Sequence, residues 1–307
     1  MQRQNYAPES LQASIPRREE LYAVAQDGSI LESTAVRCDI HHNLIVQLDG
    51  MTGVMPREEC AIGIDSGQTR EIAILSRVGK PVCFKVQKID GNTAYLSRRA
   101  AQQDALSSMM STHHPGDVIP VRVTHLEPFG AFVDIGCGLV SLIGIESLSV
   151  SRIFHPADRV SVGQLLRAVI VELDAESGRV SLTHRELLGT WEQNAAQFSP
   201  GETVCGIVRS VEEYGVFVEL TPNLSGLAEQ RFPVSPGETV SCYIKSILPE
   251  RMKIKLNLID RIGHAPSVPP PLSYYTDAAH LSAWQYSPET CTTRLIRTEF
   301  DPLELQE

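Results

Sequence analysis

Between residues 118 and 124 the chain reads "VIPVRVT", with Ile119, Val121 and Val123 interleaved with Pro120, Arg122 and Thr124. This period of two is the signature of a strand that turns one face to a core. The next segment, "AFVDI", alternates in the same way, with Val133 and Ile135 on one side and Phe132 and Asp134 on the other. "LLRAVIVEL" and "GRVSLT" supply two further strands, joined through the turn "DAESG". Two segments interrupt the pattern. "RRAAQQDALSSMMS" has few breakers and good helix formers, and "HRELLGTWEQNAAQFSPG" closes on a Pro-Gly breaker. The pattern predicts a mainly β chain with short helical connectors.

The pattern also repeats. With Gly116 set on Gly201, "GDVIPVRVTHLEPFGAFVDIG" aligns without gaps on "GETVCGIVRSVEEYGVFVELT", an offset of 85 residues that also carries Ser141-Leu142 onto Gly226-Leu227. Further along the offset falls to 74, so the second copy lacks 11 residues of one loop. A weaker copy precedes both, in "TAVRCDIHHNLIVQLDGMTGVMP" and "VGKPVCFKVQKIDGNTAYLSRRAA". Each unit of roughly 60–80 residues is large enough for a small autonomous domain. Five short strands with glycine kinks predict a small closed barrel of the OB type. The expected layout is an N-terminal tail over 1–25, a degenerate barrel over 26–99 and a linker over 100–115. A barrel over 116–187, a linker over 188–200, and a barrel with a shortened loop over 201–260 follow. The tail, 261–307, is proline-rich in "APSVPPPLSYY" and then acidic, and is expected to be partly disordered, with "AWQYSPE" apolar enough to dock.

A small barrel takes its apolar set inside, because an unpaired buried carboxylate is costly. Val133, Ile135, Val218 and Leu220 therefore point inward, and Phe132 with Asp134, and Phe217 with Glu219, point outward. Bases of an unpaired strand stack on exposed rings, each worth about 1–3 kcal/mol. Phe129 and Tyr214 are the candidate first platform and Phe132 and Phe217 the second, with Gly130 and Gly215 letting the strand bend and keeping the space over the rings clear. Candidate phosphate contacts are Arg179, beside Val180, Lys253 and Lys255, which flank Ile254, and Arg209, beside Val208. The competing readings are rings tucked under a loop as satellite core, and a solvated charged face.

The formal net charge of −10 argues against tight binding of duplex DNA and leaves room for a single-strand binder that relies on stacking and local basicity. Seven cysteines stand singly, without C-x-x-C spacing, and the pairs His41-His42 and His113-His114 lack the clustering of a metal site. No apolar run of eighteen residues and no signal-peptide core is present, so a cytoplasmic location without membrane contact is expected. No Gly-rich phosphate loop or paired-carboxylate constellation points to an enzyme or to a cofactor.

"FGAFVDIG", "VGQLL" and "DAESGRVSL" resemble the motifs of S1-type RNA-binding domains, an OB-fold family, and the tandem arrangement is similar to small-subunit ribosomal S1 proteins, particularly their short forms in low-GC Gram-positive bacteria. The resemblance implies a monomeric protein of the translation apparatus that binds single-stranded RNA, including mRNA, and associates with the small ribosomal subunit. In the family the binding surface comprises two aromatics, a histidine, an aspartate before the last turn and an arginine after it. Carried over, these are Phe129, Phe132, Asp174 and Arg179 in the second unit, with Gly144 at the histidine position. In the third they are Tyr214, Phe217 and Lys253, with Glu229 at the histidine position and no turn aspartate. The first unit keeps Asp90 but has His42 and Ile45 in place of the aromatics, and reads as a docking or spacing domain. On this grading the second unit binds RNA best by stacking, the third binds through Lys253 and Lys255, and the first is not expected to bind.

Overall fold

The structure, a computed structural model, describes residues 6–264 and 272–300. It contains three closed five-stranded barrels. The first is built from β1 (Leu31–Cys38), β2 (Leu44–Leu48), β3 (Met51–Met55), β4 (Pro81–Asp90) and β5 (Thr93–Ser97). The second uses β6 (Val118–Glu127), β7 (Gly130–Asp134), β8 (Val140–Gly144), β9 (Leu165–Asp174) and β10 (Arg179–Thr183). The third uses β11 (Thr203–Glu212), β12 (Gly215–Thr221), β13 (Leu224–Glu229), β14 (Glu238–Leu248) and β15 (Lys253–His264). Around each barrel the strand order is first, second, third, fifth, fourth. The third and fifth strands of each run parallel, as in the pairings β3 with β5, β8 with β10 and β13 with β15. The expected mainly β, triple-barrel architecture is present.

The alternation read from sequence sets the inner faces. Ile119, Val121 and Val123 of β6 and Val133 of β7 are buried, as are Val216 and Val218 of β12 and Ile254, Leu256 and Leu258 of β15. Each such side chain contributes on the order of 1.5–3 kcal/mol by leaving water. The chain partitions into two compact units: residues through His113 with Pro120–Arg122 and Asp134–Ser141, and the remainder.

In the first unit the N-terminal segment is part of the fold. A helix, Arg18–Asp27, crosses the boundary expected at residue 25. Its Leu21 and Val24, three residues apart and so on one helical face, are buried in the first barrel's core. The preceding segment places Glu9 against Arg98, with Arg98 Nε donating to Glu9 Oε1 at 2.7 Å and Nη2 donating to Oε2 at 3.1 Å. Burial opposes ionisation of Glu9, but the charge and hydrogen bonds of Arg98 outweigh it and hold the carboxyl below its usual range. Arg98 opens the expected connector helix, Arg98–Thr112, which Ser97 caps by accepting the Ala100 N–H at 2.8 Å.

In the second unit the loop between β8 and β9, the 11-residue excess over the third repeat, docks on the third barrel. Val150 N–H donates to Asn223 Oδ1 at 2.9 Å, and Ser151 N–H donates to the Pro222 carbonyl at 3.1 Å. Asn223 is fully buried, and its amide donates to the Arg185 and Gly189 carbonyls of the connector. Part of the tail also packs here. β16 (Ala283–Gln285) and β17 (Arg297–Glu299) form a hairpin, and Trp284 and Tyr286, both within "AWQYSPE", join the third barrel's core cluster. Most of the proline run and the acidic end, expected to be poorly ordered, lie outside the described residues.

Candidate nucleic-acid interface

Both aromatic pairs sit at the same place in their barrels because the same hairpin makes them. In the third barrel Glu212 pairs with Gly215, leaving Glu213-Tyr214 as a two-residue turn between β11 and β12. In the second, Pro128-Phe129 occupies the corresponding turn between β6 and β7. The first aromatic of each pair therefore rides on the turn, and the second stands on the strand three residues later. Phe129 is 55% exposed and Tyr214 69%, whereas Phe132 and Phe217 are half-buried. The rings meet edge to face, Phe129 with Phe132 at 5.9 Å between centroids and Tyr214 with Phe217 at 6.1 Å.

The glycines after each turn are required by close approach. A Cβ on Gly130 would lie 2.5 Å from the Ile143 carbonyl oxygen, and one on Gly215 would lie 2.6 Å from that of Ala228. Gly215 also takes φ = +146°, which side chains rarely adopt.

The outward face of β7 and β12 is open only in part. Asp134 and Glu219 leave the barrel interiors as expected, yet both are buried by other elements. Asp134 accepts the N–H groups of Glu9, Gly136 and Gly138 at 2.7, 2.8 and 3.0 Å. Glu219 lies between two guanidinium groups: Arg159 Nη1 and Nη2 donate to it at 2.9 and 2.8 Å, and Arg209 Nε and Nη2 at 2.9 and 3.2 Å. Burial alone would raise the Glu219 pKa, but these two arginines hold it below the normal carboxylate range.

This corrects the role expected of Arg209. Its side chain is 6% exposed and is neutralised by Glu219, with Asp158 Oδ1 a further 3.5 Å partner, so it is a structural cation instead of a free phosphate contact. Strand alternation placed it outward correctly, but could not show that a loop from another barrel covers that face.

The other expected cations are free. Arg179, Lys253 and Lys255 are exposed and alternate with buried Val180 and Ile254. None forms an ion pair with a described residue. Asp174 is committed to its turn, accepting the Glu176 and Ser177 N–H groups at 3.0 and 3.2 Å as well as the Ser177 hydroxyl. The Ser177 hydrogen bonds, foremost, hold its carboxyl below the usual range. It can shape the turn before Arg179 while remaining an anion. In the first barrel, His42 Nδ1 is 2.9 Å from Glu71 Oε2 and Ile45 occupies the second position, so no ring pair forms.

One participant was not read from the sequence. His125 of β6 stacks on Phe132, at 6.2 Å between centroids and 26° between planes, and its Nε2 lies 2.7 Å from Glu127 Oε1. The 85-residue offset puts Ser210 at the matching position of the third unit, where it pairs across the ladder with Phe217. That comparison was the available signal: a ring in one repeat opposite a small residue in the other.

Residues 112–185, which span the second barrel, match the family model described as "S1 RNA binding domain". These residues are an S1 RNA-binding domain. A small ribosomal subunit protein bS1 from Leuconostoc lactis is 29% identical over 251 residues, covering 76% of this chain and 56% of that protein. One from Staphylococcus aureus (strain COL) is 30% identical over 198 residues, covering 59% of this chain and 50% of that protein. The chain spans about half the length of the curated relatives it matches. A solved multidomain protein with nucleic acid binding domains from Streptococcus pneumoniae covers 76% of this chain and 73% of its own, at 16% identity and a TM-score of 0.25. The S1 domain thus carries the three-ring cluster His125, Phe132 and Phe129 and the exposed Arg179. The third barrel repeats its topology and ring pair.

Proposed function

We propose that this chain is a non-enzymatic, cytoplasmic protein of the translation apparatus that holds single-stranded RNA, mRNA included, at the small ribosomal subunit. Bases stack on Phe129 and Phe132 in the S1 domain and on Tyr214 and Phe217 in the third barrel, and Arg179, Lys253 and Lys255 contact phosphates. The observation that carries this reading is the pair of ring clusters, each on a tight hairpin, in barrels whose Arg179, Lys253 and Lys255 are exposed and outside any ion pair with a described residue. Similarity to the bS1 proteins supports the ribosomal setting. Stacking reads single-strandedness more than sequence, so weak sequence preference is expected.

Filter binding to unstructured RNA tests the mechanism. With two rings worth about 1–3 kcal/mol each, Phe129→Ala with Phe132→Ala weakens the S1 domain's contribution by at least tenfold. Unchanged affinity would refute stacking there.

A second reading, a scaffold whose barrels hold proteins, draws on the first barrel, where His42 is tied to Glu71 and Ile45 stands at the second ring position. We assign that barrel a docking or spacing role. Ribosome cosedimentation that survives nuclease and high salt would favour protein contacts, because phosphate contacts weaken steeply with salt.

A further inference from the structure

We propose that single-stranded RNA on the third barrel lies in a groove completed by two elements outside that barrel, the long loop of the S1 domain and the tail hairpin, with Arg152, Arg251 and Arg294 holding its phosphates. The inference rests on the stacking reading above and extends it to a site that the S1-type motif does not contain.

The groove has a volume of about 610 Å³ and includes Tyr214 and Phe217 in its lining. This lies within the ~300–1,000 Å³ span of sites that enclose a small ligand, so a base with its sugar and phosphate fits. One wall is the S1-domain loop at Val150–Arg152. That wall is fixed, because Val150 and Ser151 donate their N–H groups to Asn223 and Pro222, and Ser225 and Ser151 hydroxyls meet at 2.9 Å. A second part of the lining is Tyr286, Arg294 and Ile296 of the tail. It is fixed as well, because Trp191 N–H donates to the Tyr286 carbonyl at 3.0 Å and the Tyr286 hydroxyl donates to the Asn223 carbonyl.

Charge decides what such a groove holds. Arg152, Arg251, Lys253 and Arg294 all line it and all are exposed, and none forms an ion pair with a described residue. Arg209 also reaches the lining, but Glu219 already neutralises it. Glu212 is the one acid in the lining. Four cations outside any ion pair with a described residue, against one acid, line a groove with two rings in a chain of net charge −10 and form a local site for a polyanion that stacks. An acidic peptide would use the cations but not the rings. The three arginines come from three separate parts of the chain, the S1-domain loop, the β14–β15 turn and the tail, and only the fold gathers them.

The consequence sharpens the grading drawn from the motif. The third barrel, whose ring pair shares its groove with four cations outside any ion pair with a described residue, has the larger phosphate-dependent share of binding, and the S1 domain the larger stacking share.

The test is fluorescence anisotropy of the full chain with labelled oligouridylate, titrated across salt concentrations. Arg152→Ala, Arg251→Ala and Arg294→Ala together remove three phosphate contacts. At about 0.7 per contact for single strands, the slope of log affinity against log salt falls by about 2, and affinity near 0.1 M salt drops roughly 10- to 100-fold. Arg294→Lys keeps the wild-type slope while Arg294→Ala lowers it. All three sites are exposed, and circular dichroism with a thermal melt checks that the variants fold. If Tyr214→Ala with Phe217→Ala weakens binding while the triple arginine variant keeps wild-type affinity and slope, the groove assignment is overturned and the stacking reading stands. If neither ring pair affects RNA binding, the stacking reading fails, and the groove proposal with it. Loss on the arginine substitutions without loss on the Tyr214 and Phe217 substitutions also overturns it, because the RNA is then held by its phosphates alone and not stacked in this groove.

Discussion

Glu219 is the most consequential side chain that touches no proposed ligand, and Glu219→Gln tests the account of how the loop of the S1 domain is held on the third barrel. The carboxylate is 5% exposed and takes two hydrogen bonds from Arg159 and two from Arg209. Arg159 is itself 3% exposed, and the nearest alternative anion is Asp158, 3.5 Å from Arg209 Nη1. Glutamine keeps the shape and one acceptor but leaves two buried guanidinium groups with one partly exposed carboxylate between them. Breaking a buried pair in this way costs about 3–5 kcal/mol, and the retained acceptor places the expected loss near the lower end, about 3 kcal/mol. Urea melts followed by tryptophan fluorescence suit the measurement, because both tryptophans, Trp191 and Trp284, lie in the third barrel's core cluster. The pH dependence adds a second constraint. The folded pKa of Glu219 lies below its reference value of 4.5, so folding releases protons and the carboxylate's stabilisation is fully present above pH 4.5. It is lost as pH falls through the folded value, where wild type and variant converge. A loss under about 1 kcal/mol at neutral pH, the scale of a surface pair, would refute the reasoning. A difference that did not close in acid would do so as well.

Two further predictions address other parts of the second unit. Gly130→Ala forces a Cβ to within 2.5 Å of the Ile143 carbonyl, so strands β7 and β8 must separate. A thermal melt should show a loss of about 1–3 kcal/mol, accompanied by weaker RNA binding as Phe129 and Phe132 shift, and an unaltered melt would contradict the close approach. His184 is fully buried, with Nδ1 3.0 Å from the Leu148 carbonyl, and burial pushes its pKa down to about 4 from 6.5. The unfolded chain therefore binds the extra proton between those values, and stability falls by up to about 3 kcal/mol as pH drops across that window. His184→Gln should flatten that part of the stability profile in urea melts at stepped pH.

Much of the candidate site was legible because it depends on short-range rules. The hairpin spacing of Phe129 and Phe132, repeated in Tyr214 and Phe217, together with alternation around Val180 and Ile254, fixed which side chains leave the barrels. Arg209 shows where that reasoning stops. Its outward direction was read correctly, yet its availability depended on Arg159, Asp158 and Glu219, two of which lie in another barrel's loop. The helix Arg18–Asp27 was missed as part of the first barrel because two buried residues, Leu21 and Val24, are a faint amphipathic signal among charged neighbours. His125 was missed because its one sequence signal, a ring where the third repeat has Ser210, gains meaning only once the contact with Phe132 is known.

By itself, the sequence determined three repeats, their strands, which faces are apolar, and the ring pairs, because each follows from a period of two and a turn of two residues. Tertiary structure decided which outward charges are free. The outer face of a barrel is solvent only until another element covers it, and whether Glu219 is buried or Arg294 lines the same groove as Tyr214 is settled by contacts between segments tens of residues apart, which no local period encodes.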